Sequence, residues 1–556
     1  MSAALRRRQL AAGAILALVT LAVHAPRDGG FSYDDNDFVV VNQSIRSLAE
    51  AAAALALPFP PEQRERGLYR PVTNFSYAVD YALWGSEAQG FHWTNTLLYA
   101  AVVLLVARLA TLYLGSLGFA FSVALLFAVH PVHCDAVDSV AGRSEILALL
   151  FGLASLLCFL RATRTQPLQP GWLTASAVAY ALACGAKETG AVWPAILAAH
   201  LWILAPPRPG SGARSWLGPL RSLAPHAVIL LGYVVLRLAV LGRFSPAGSL
   251  LLDGDWTARL ATIGTVYLAN LGLLIWPPLE IDFYYQASFG LPERLDAFAL
   301  LGWLALLASA GAALWLAGRH FRSPDVTDDA FRERATALCA LSIFAATLLP
   351  TSHLLDLGAL LAERFLFAPS LGLVLLGVLA ARQLLGGLPA EPRRLATVSL
   401  LVLVAAVWAW RSHERAAEWR DPEQLWRAAA RSLPADVRIP TNLAAVLIER
   451  GKLEPAREAL ERALALDPEY RAALGNLATL DLEAGRFEQA AAAYQRMLEL
   501  EPNDFLTWYN LGRLELTRGQ PGLAAEHFRR SLELNPNFSH ARLGLDAATR
   551  PNPAPR

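Results

Sequence analysis

The chain has 556 residues, 55% of them hydrophobic and only 17% charged, with a mean hydropathy of +0.36, a balance outside the range of soluble proteins and a length beyond one ordinary domain. A net charge of +1, with no basic run longer than Arg6 to Arg8, excludes a nucleic-acid binder. Cys134, Cys158, Cys184 and Cys339 are scattered without a CxxC pair, which indicates neither a disulfide framework nor a zinc site.

The N-terminal stretch, three arginines followed by an apolar run to Ala25, has the layout of a signal peptide, but the many later apolar segments favour a retained signal anchor and thus a first span. In chain order, candidate membrane-crossing segments lie at about 8–25, 92–114, 117–130, 145–161, 171–185, 189–205, 224–241, 258–276, 297–317, 335–350, 364–383 and 394–411. Basic loops mark the cytoplasmic side: Arg6 to Arg8, Arg161 and Arg164, Arg208 to Arg221, Arg319 to Arg334, and Arg382 to Arg394. Three segments, 224–241, 258–276 and 297–317, fall between two of these loops, and an odd number of crossings cannot return the chain to its starting side. We expect 258–276 to be re-entrant or to lie along the outer surface, which gives eleven true spans and places the C-terminal region outside the cytoplasm.

After Arg411 the pattern changes to soluble helices rich in Ala, Leu, Glu and Arg. Pro434, Pro468, Pro502 and Pro536 recur at a step of 34 residues, as do Asn442, Asn476 and Asn510, Gly451, Gly485 and Gly519, and Ala456, Ala490 and Ala524. Each unit reads as a helix, a turn at its Gly, a second helix with Leu460, Tyr494 or Phe528 inward, and a terminating Pro. This is the tetratricopeptide pattern. It divides the chain into a membrane domain at 1–411, a linker with a partial repeat at 412–436, three repeats at 437–538, and a capping helix with a disordered tail at 539–556. Such arrays present a concave surface to a peptide or protein, so no chemistry is expected there.

On the topology above, the outer face collects "YDDND", "YRPVTNFSY", "FHWTN", "HPVHCDAVDSVAGRSE", "AKE", "EIDFYY" and "PTSHLLDLGALLAERF" as a polar chamber above lipid. Asp34 and Asp35, just after the first span, suit three roles: hydrated anchors, an Asx turn or helix cap, or a metal or base site. His130 and His133 with Asp135 and Asp138 are candidate metal ligands, with interfacial helix packing the favoured reading and no metal assigned. Arg143, at the start of a span beside Glu145, suits a phosphate at headgroup level or an interfacial snorkel. Lys187 and Glu188 have almost no loop around them and are either functional or a mutual salt bridge. Glu363 and Arg364 repeat that design. Arg143, Lys187 and Arg364, with Arg70 as a further candidate, form a set of cations suited to a phosphodiester or diphosphate lipid headgroup, and Glu188, Glu363, His130, His133 and Asp135 are supporting groups.

The order of these motifs, "YDDNDFVVVN", "YRPVTNFSYAVDYALWG", "FHWTNTLLY", "LFAVHPVHCDAVDSVAGRSE", "KETG", "LPTSHLL" and "AERFLFAPSLG" before a repeat tail, resembles the TMTC family, the transmembrane and tetratricopeptide-repeat O-mannosyltransferases. The resemblance implies an all-α fold: a polytopic GT-C-type helix bundle of about eleven spans plus the re-entrant or interfacial segment, with a C-terminal tetratricopeptide α-solenoid. It also implies transfer of a sugar, mannose in the family, from a polyprenyl-phosphate donor to Ser or Thr hydroxyls of proteins on the non-cytoplasmic side, with inversion and with no cofactor beyond the lipid-linked donor; a divalent cation stays open. The acidic pair of the GT-C class maps onto Asp34 and Asp35 as catalytic, one of them the general base. The expected partners are the polyprenyl-phosphate sugar, an acceptor protein or peptide and membrane lipid, without nucleic acid. The Ala/Leu/Arg-rich composition points to a GC-rich bacterium, hence an inner-membrane protein with periplasmic site and repeats and an undecaprenyl carrier. The competing reading is a non-enzymatic membrane scaffold whose repeats recruit envelope proteins. A transporter is disfavoured because polar residues gather at one mouth.

Overall fold

A long apolar run can satisfy its backbone polar groups in lipid only as a helix, and every long apolar run of this chain that is described does so. The computed structural model describes residues 3–26, 29–164, 167–204, 220–242, 256–277, 294–322, 329–353, 361–536 and 538–550, and all regular structure among them is helical. Two of the stretches counted above among the outer loops, "EIDFYY" and the "LLDLGAL" of the 350–363 loop, lie outside the described residues, as does the tail 551–556.

Among the described residues, eight helices are long and apolar enough to cross a membrane: Ala88–Leu114, Val140–Thr163, Arg221–Leu241, Trp256–Ile275, Ala297–Arg322, Asp329–Thr351, Glu363–Gly387 and Ala390–Arg420. The chain is thus a polytopic membrane protein, and these are joined by Ala3–His24, Pro170–Ala186 and the shorter apolar Glu188–Leu204. The segment expected to be re-entrant or to lie along the outer surface, 258–276, is one unbroken 20-residue helix, Trp256–Ile275, which rules out the re-entrant alternative. It packs on Ala297–Arg322 by backbone approach: a Cβ added at Gly302 would come within 1.8 Å of the Gly264 carbonyl. The break falls elsewhere. The expected span 117–130 is a helix, Leu117–Ala128, that bends by 52° into Pro131–Val137, because Pro131 removes a backbone donor just where the turn begins. His130 and His133 sit at that bend and are fully buried.

The core of the bundle is a continuous apolar cluster that includes Tyr99, Phe127, Phe159 and Phe367. The last hydrophobic helix passes the expected boundary at 411 and runs to Arg420, and the first compact unit ends at Asp421. Its 31 residues span about 46 Å at 1.5 Å per residue, more than a hydrocarbon core of about 30 Å, so its last turns rise beyond the apolar layer. Those turns are polar yet buried at Arg411, Ser412, Arg415 and Arg420, and the helix stops because Asp421, preceding Pro422, is driven into extended backbone.

The second unit, from Pro422, holds the helix Pro422–Ser432, three helix pairs (Arg438–Glu449 with Leu453–Leu466, Arg471–Glu483 with Phe487–Leu500, Phe505–Thr517 with Pro521–Leu534) and a final helix Ser539–Thr549. Gly451, Gly485 and Gly519 turn between paired helices at φ of 70°, 72° and 76°, a left-handed conformation that explains why Gly recurs at that place in each repeat. Leu460, Tyr494 and Phe528 are buried, as their spacing requires.

Candidate active site

The loop after the first helix begins with Gly30, whose N–H donates to the Arg420 carbonyl at 3.1 Å, and Ser32, whose hydroxyl donates to the Trp419 carbonyl at 3.1 Å. The end of the last membrane helix therefore anchors it. Tyr33 then takes φ of +49°, and Asp34 and Asp35 start a helical turn that continues through Asn36–Val40. Successive side chains on such a turn diverge by about 100°, so the two carboxylates cannot share one environment.

Asp35 faces inward and is wholly buried. Its Oδ1 accepts from the Ala141 N–H at 2.6 Å and the Ser139 hydroxyl at 3.1 Å, and its Oδ2 from the Ser32 N–H at 3.1 Å and, more weakly, the Ser32 hydroxyl at 3.5 Å. It thereby caps the N-terminus of the helix that runs on to Thr163. Burial pushes its carboxyl above the usual range, while His92 and the hydrogen bonds from Ala141, Ser32 and Ser139 pull against it.

Asp34 faces outward, its side chain 14% exposed. Arg364 lies 3.2 Å from one oxygen and Arg66 3.5 Å from the other. Arg364, 24% exposed, also approaches Asp135 at 3.7 Å, and its backbone N–H donates to the same carboxylate at 3.0 Å. Arg66 continues to Asp37, which also accepts from Gln63 at 2.9 Å. The result is a half-open alternation of carboxylates and guanidinium groups: Asp135, Arg364, Asp34, Arg66, Asp37.

A second, more enclosed row lies beside it. Arg70 binds Glu188 through two bonds, 2.7 and 3.1 Å, and reaches the Ser144 hydroxyl at 3.4 Å. Lys187 pairs with Glu145 rather than with its chain neighbour Glu188, and its ammonium lies 5.4 Å over the Phe365 ring. Burial pulls the Lys187 ammonium below its ordinary range, with Glu145 holding it up. The expected mutual Lys187–Glu188 bridge is thus replaced by two cross-helix pairs, since side chains at successive positions do not face each other. A cavity of about 20 Å³ lined by Glu145, Thr189, Thr351 and Phe365 adjoins this row, about the room one water needs.

Two expectations are corrected, and the metal-ligand alternative for the histidines, already the less favoured reading, is not the arrangement found. Arg143 is not open to a headgroup: it is fully buried, 2.5 Å from Asp80, donating to Asn95 at 2.7 Å and the Phe91 carbonyl at 2.9 Å and lying over the Tyr77 ring. With those partners it has no room for a phosphate. Glu363 does not support its neighbour Arg364 but pairs with buried Arg415 of the last membrane helix. His130 and His133 do not converge on a metal with Asp135: His130 accepts from the Val132 N–H and donates to the Leu274 carbonyl at 3.0 Å, and His133 lies between Tyr99 and Ser370 at 2.7 and 2.8 Å. The tightest metal-like group among the described residues is His24, Cys134 and Asp138, within 4.8 Å of one another. There Arg420, 2.8 Å from Asp138, already supplies the positive charge.

Sequence spacing missed Arg66, Asp80, Arg415 and Arg420. Arg66 lies in "EQRERG", where nothing separates it from Arg64; Asp80 is a lone charge inside its helix, and Arg415 and Arg420 lie among the other charges of "RSHERAAEWR" at the end of the last membrane helix.

Tetratricopeptide-repeat models match residues 439–470 and 476–537. The chain is 26% identical over 476 residues to the protein O-mannosyl-transferase TMTC4 of Mus musculus, covering 76% of this chain and 62% of that protein. It is also 26% identical over 552 residues to the protein O-mannosyl-transferase Tmtc1 of Drosophila melanogaster, covering 84% and 63%. The chain is thus similar to the TMTC protein O-mannosyl-transferases over most of its length. The human protein O-mannosyl-transferase TMTC2 matches at 26% over 71% of this chain and 54% of its own length. The chain therefore spans between about half and two thirds of the length of these relatives. Among solved structures, that of the MamA protein aligns with 23% of it at 20% identity and a TM-score of 0.22.

Proposed function

We propose that this protein is a membrane glycosyltransferase that moves a sugar from a polyprenyl-phosphate donor to Ser or Thr hydroxyls of a protein on the non-cytoplasmic side. The observation that carries this reading is Asp34: a carboxylate held at the polar end of an apolar bundle, reachable from water, and flanked by two part-exposed guanidinium groups. Asp34 is the general base. It takes the proton of the acceptor hydroxyl as that oxygen attacks C1 of the sugar; the C1–O bond to phosphate breaks, its electron pair stays on the polyprenyl phosphate, and the configuration at C1 inverts. Arg364 and Arg66 receive the leaving phosphate, and in doing so release Asp34 from the ion pairs that otherwise hold it and weaken it as a base. Arg70 and Lys187, neutralised by Glu188 and Glu145, brace the enclosed side of the site rather than touch the phosphate. Asp35 is a positioning residue that fixes the turn presenting Asp34. The repeats bind the acceptor or a partner that brings it.

The relatives' names as protein O-mannosyl-transferases support mannose as the sugar. The test incubates purified full-length protein with a panel of polyprenyl-phosphate sugars and an acceptor peptide, and measures released polyprenyl phosphate. Release that is lost in Asp34→Asn, with Arg364→Gln raising the KM for donor, is the expected result. Folded protein that releases nothing with any donor, while its repeats still bind envelope proteins, returns the assignment to a scaffold.

A further inference from the structure

The end of the bundle away from Asp34 carries a structure that the transfer chemistry does not use. The helices Phe367–Leu384 and Ala390–Arg420 are joined by only five residues, 385–389, yet a groove of about 360 Å³ opens between them. Helices so closely connected normally interlock their side chains along their length. Here Val374 and Val378 on one side and Leu401 and Val404 on the other face the groove, with Phe119 and Leu126 of Leu117–Ala128 as its floor. From Arg393 to Trp408 the flanking helix runs about 22 Å at 1.5 Å per residue, longer than one leaflet's share of a hydrocarbon core of about 30 Å.

The groove does not end in apolar wall. Phe119, Ser122, Arg382, Thr397 and Leu401 line both it and a second, wider cavity of about 810 Å³, so the two adjoin. That second cavity is lined by Arg382, Arg393 and Arg394 against one carboxylate, Glu333. Glu333 is engaged by Arg382 at 3.3 Å and by Gln383 at 3.4 Å. Arg393 reaches no carboxylate among the described residues, only the Gly386 carbonyl at 3.5 Å, and both it and Arg394 are exposed. A mouth with surplus guanidinium charge thus opens into an apolar trough.

We propose that this composite groove binds one anionic glycerophospholipid, its phosphate held by Arg393 and Arg394 with Arg382, and an acyl chain laid between the last two membrane helices. A soluble anion would satisfy the arginines but leave the trough unfilled, and a zwitterionic lipid would bring its ammonium group against them. Basic pockets between membrane helices are suited to anionic headgroups, and on the orientation expected from the basic loops these arginines meet the cytoplasmic leaflet, where such lipids are concentrated. The lipid is a wedge: it supplies the packing that the two helices do not give each other.

The test uses the full-length protein in neutral detergent, stripped of co-purified lipid, and counts bound lipid by native mass spectrometry as phosphatidylglycerol or phosphatidylcholine of the same chains is added. One phosphatidylglycerol is expected to bind roughly 30-fold more tightly than phosphatidylcholine, the effect of two basic residues near the headgroup. The double variant Arg393→Gln, Arg394→Gln loses that preference while its melting temperature without lipid is unchanged, both side chains being exposed. Leu401→Trp, which fills the trough, weakens binding of phosphatidylglycerol with the arginines intact. Equal retention of the two lipids, or an unchanged preference in the double variant, overturns the proposal. So does displacement of the lipid by millimolar inorganic phosphate alone, which would mark a simple ion site.

Discussion

Asp34 and Asp35 are adjacent, and their variants are expected to fail in opposite ways. Asp35→Asn turns one of two accepting oxygens into a donor. The Ser32 and Ser139 hydroxyls can rotate to accept instead, but the backbone N–H groups of Ala141 at 2.6 Å and Ser32 at 3.1 Å cannot. One buried N–H therefore loses its acceptor, at about 1–3 kcal/mol, while Asp35→Ala strands both, at about 2–6 kcal/mol. Asp34→Asn loses only part-exposed ion pairs at 3.2 and 3.5 Å, less than about 1 kcal/mol. It is expected to cut transfer by about 10²- to 10⁴-fold, the usual worth of a general base. Melting of the detergent-solubilised protein and released polyprenyl phosphate, measured on the same preparations, separate the two. Asp34→Asn melts like wild type and does not turn over; Asp35→Asn melts several degrees lower and keeps turnover in whatever fraction stays folded. pH adds a check. Because burial raises the Asp35 carboxyl above its unfolded value of about 3.9, its favourable contribution is full below that value and is lost as pH rises through the folded one. The stability gap between wild type and Asp35→Asn should then widen as pH falls toward about 4. Turnover surviving in Asp34→Asn, together with its loss in a fully stable Asp35→Asn, would exchange the roles and refute this reasoning.

Arg143→Gln leaves buried Asp80 without its cation and should cost about 3–5 kcal/mol, seen as a lower melting temperature. Recovery on adding Asp80→Asn would identify the stranded charge as the cause, whereas a wild-type melt would mean that the pair is dispensable. Gly302→Ala places a methyl against the Gly264 backbone, so Trp256–Ile275 and Ala297–Arg322 must move apart; cysteine cross-linking between the two helices should fall, and unchanged cross-linking would contradict their close approach. Glu423 is held near a pKa of about 2 by Lys452 first, then Arg427 and Arg450. Its stabilisation is present above the unfolded value of about 4.3 and is lost as pH falls from there through the folded value. Acid titration of helix content in the repeat unit 422–556 should show a shallower loss between those limits for Glu423→Gln, and identical curves would count against the network.

Much of this protein is legible in its order of residues. Apolar runs become helices because lipid offers backbone groups no other partner, and the 34-residue step of Pro, Asn, Gly and Ala specifies the repeats because each marks a backbone event: Gly a left-handed turn, Pro a stop. The nearness of "YDDND", "YRPV", "KETG" and "AERF" to helix ends is likewise written in sequence. Their partnerships are not. Asp34 and Asp35 are neighbours, yet one meets Arg364, 330 positions away, and the other a helix N-terminus at Ala141. Lys187 turns from Glu188 to Glu145, Glu363 from Arg364 to Arg415, and Arg143 from the membrane surface to Asp80. Local sequence decides which way a side chain leaves its own turn; which charge it meets there is decided by the helix packed opposite, and a buried charge must take the partner within reach because leaving it unpaired costs more than any local preference.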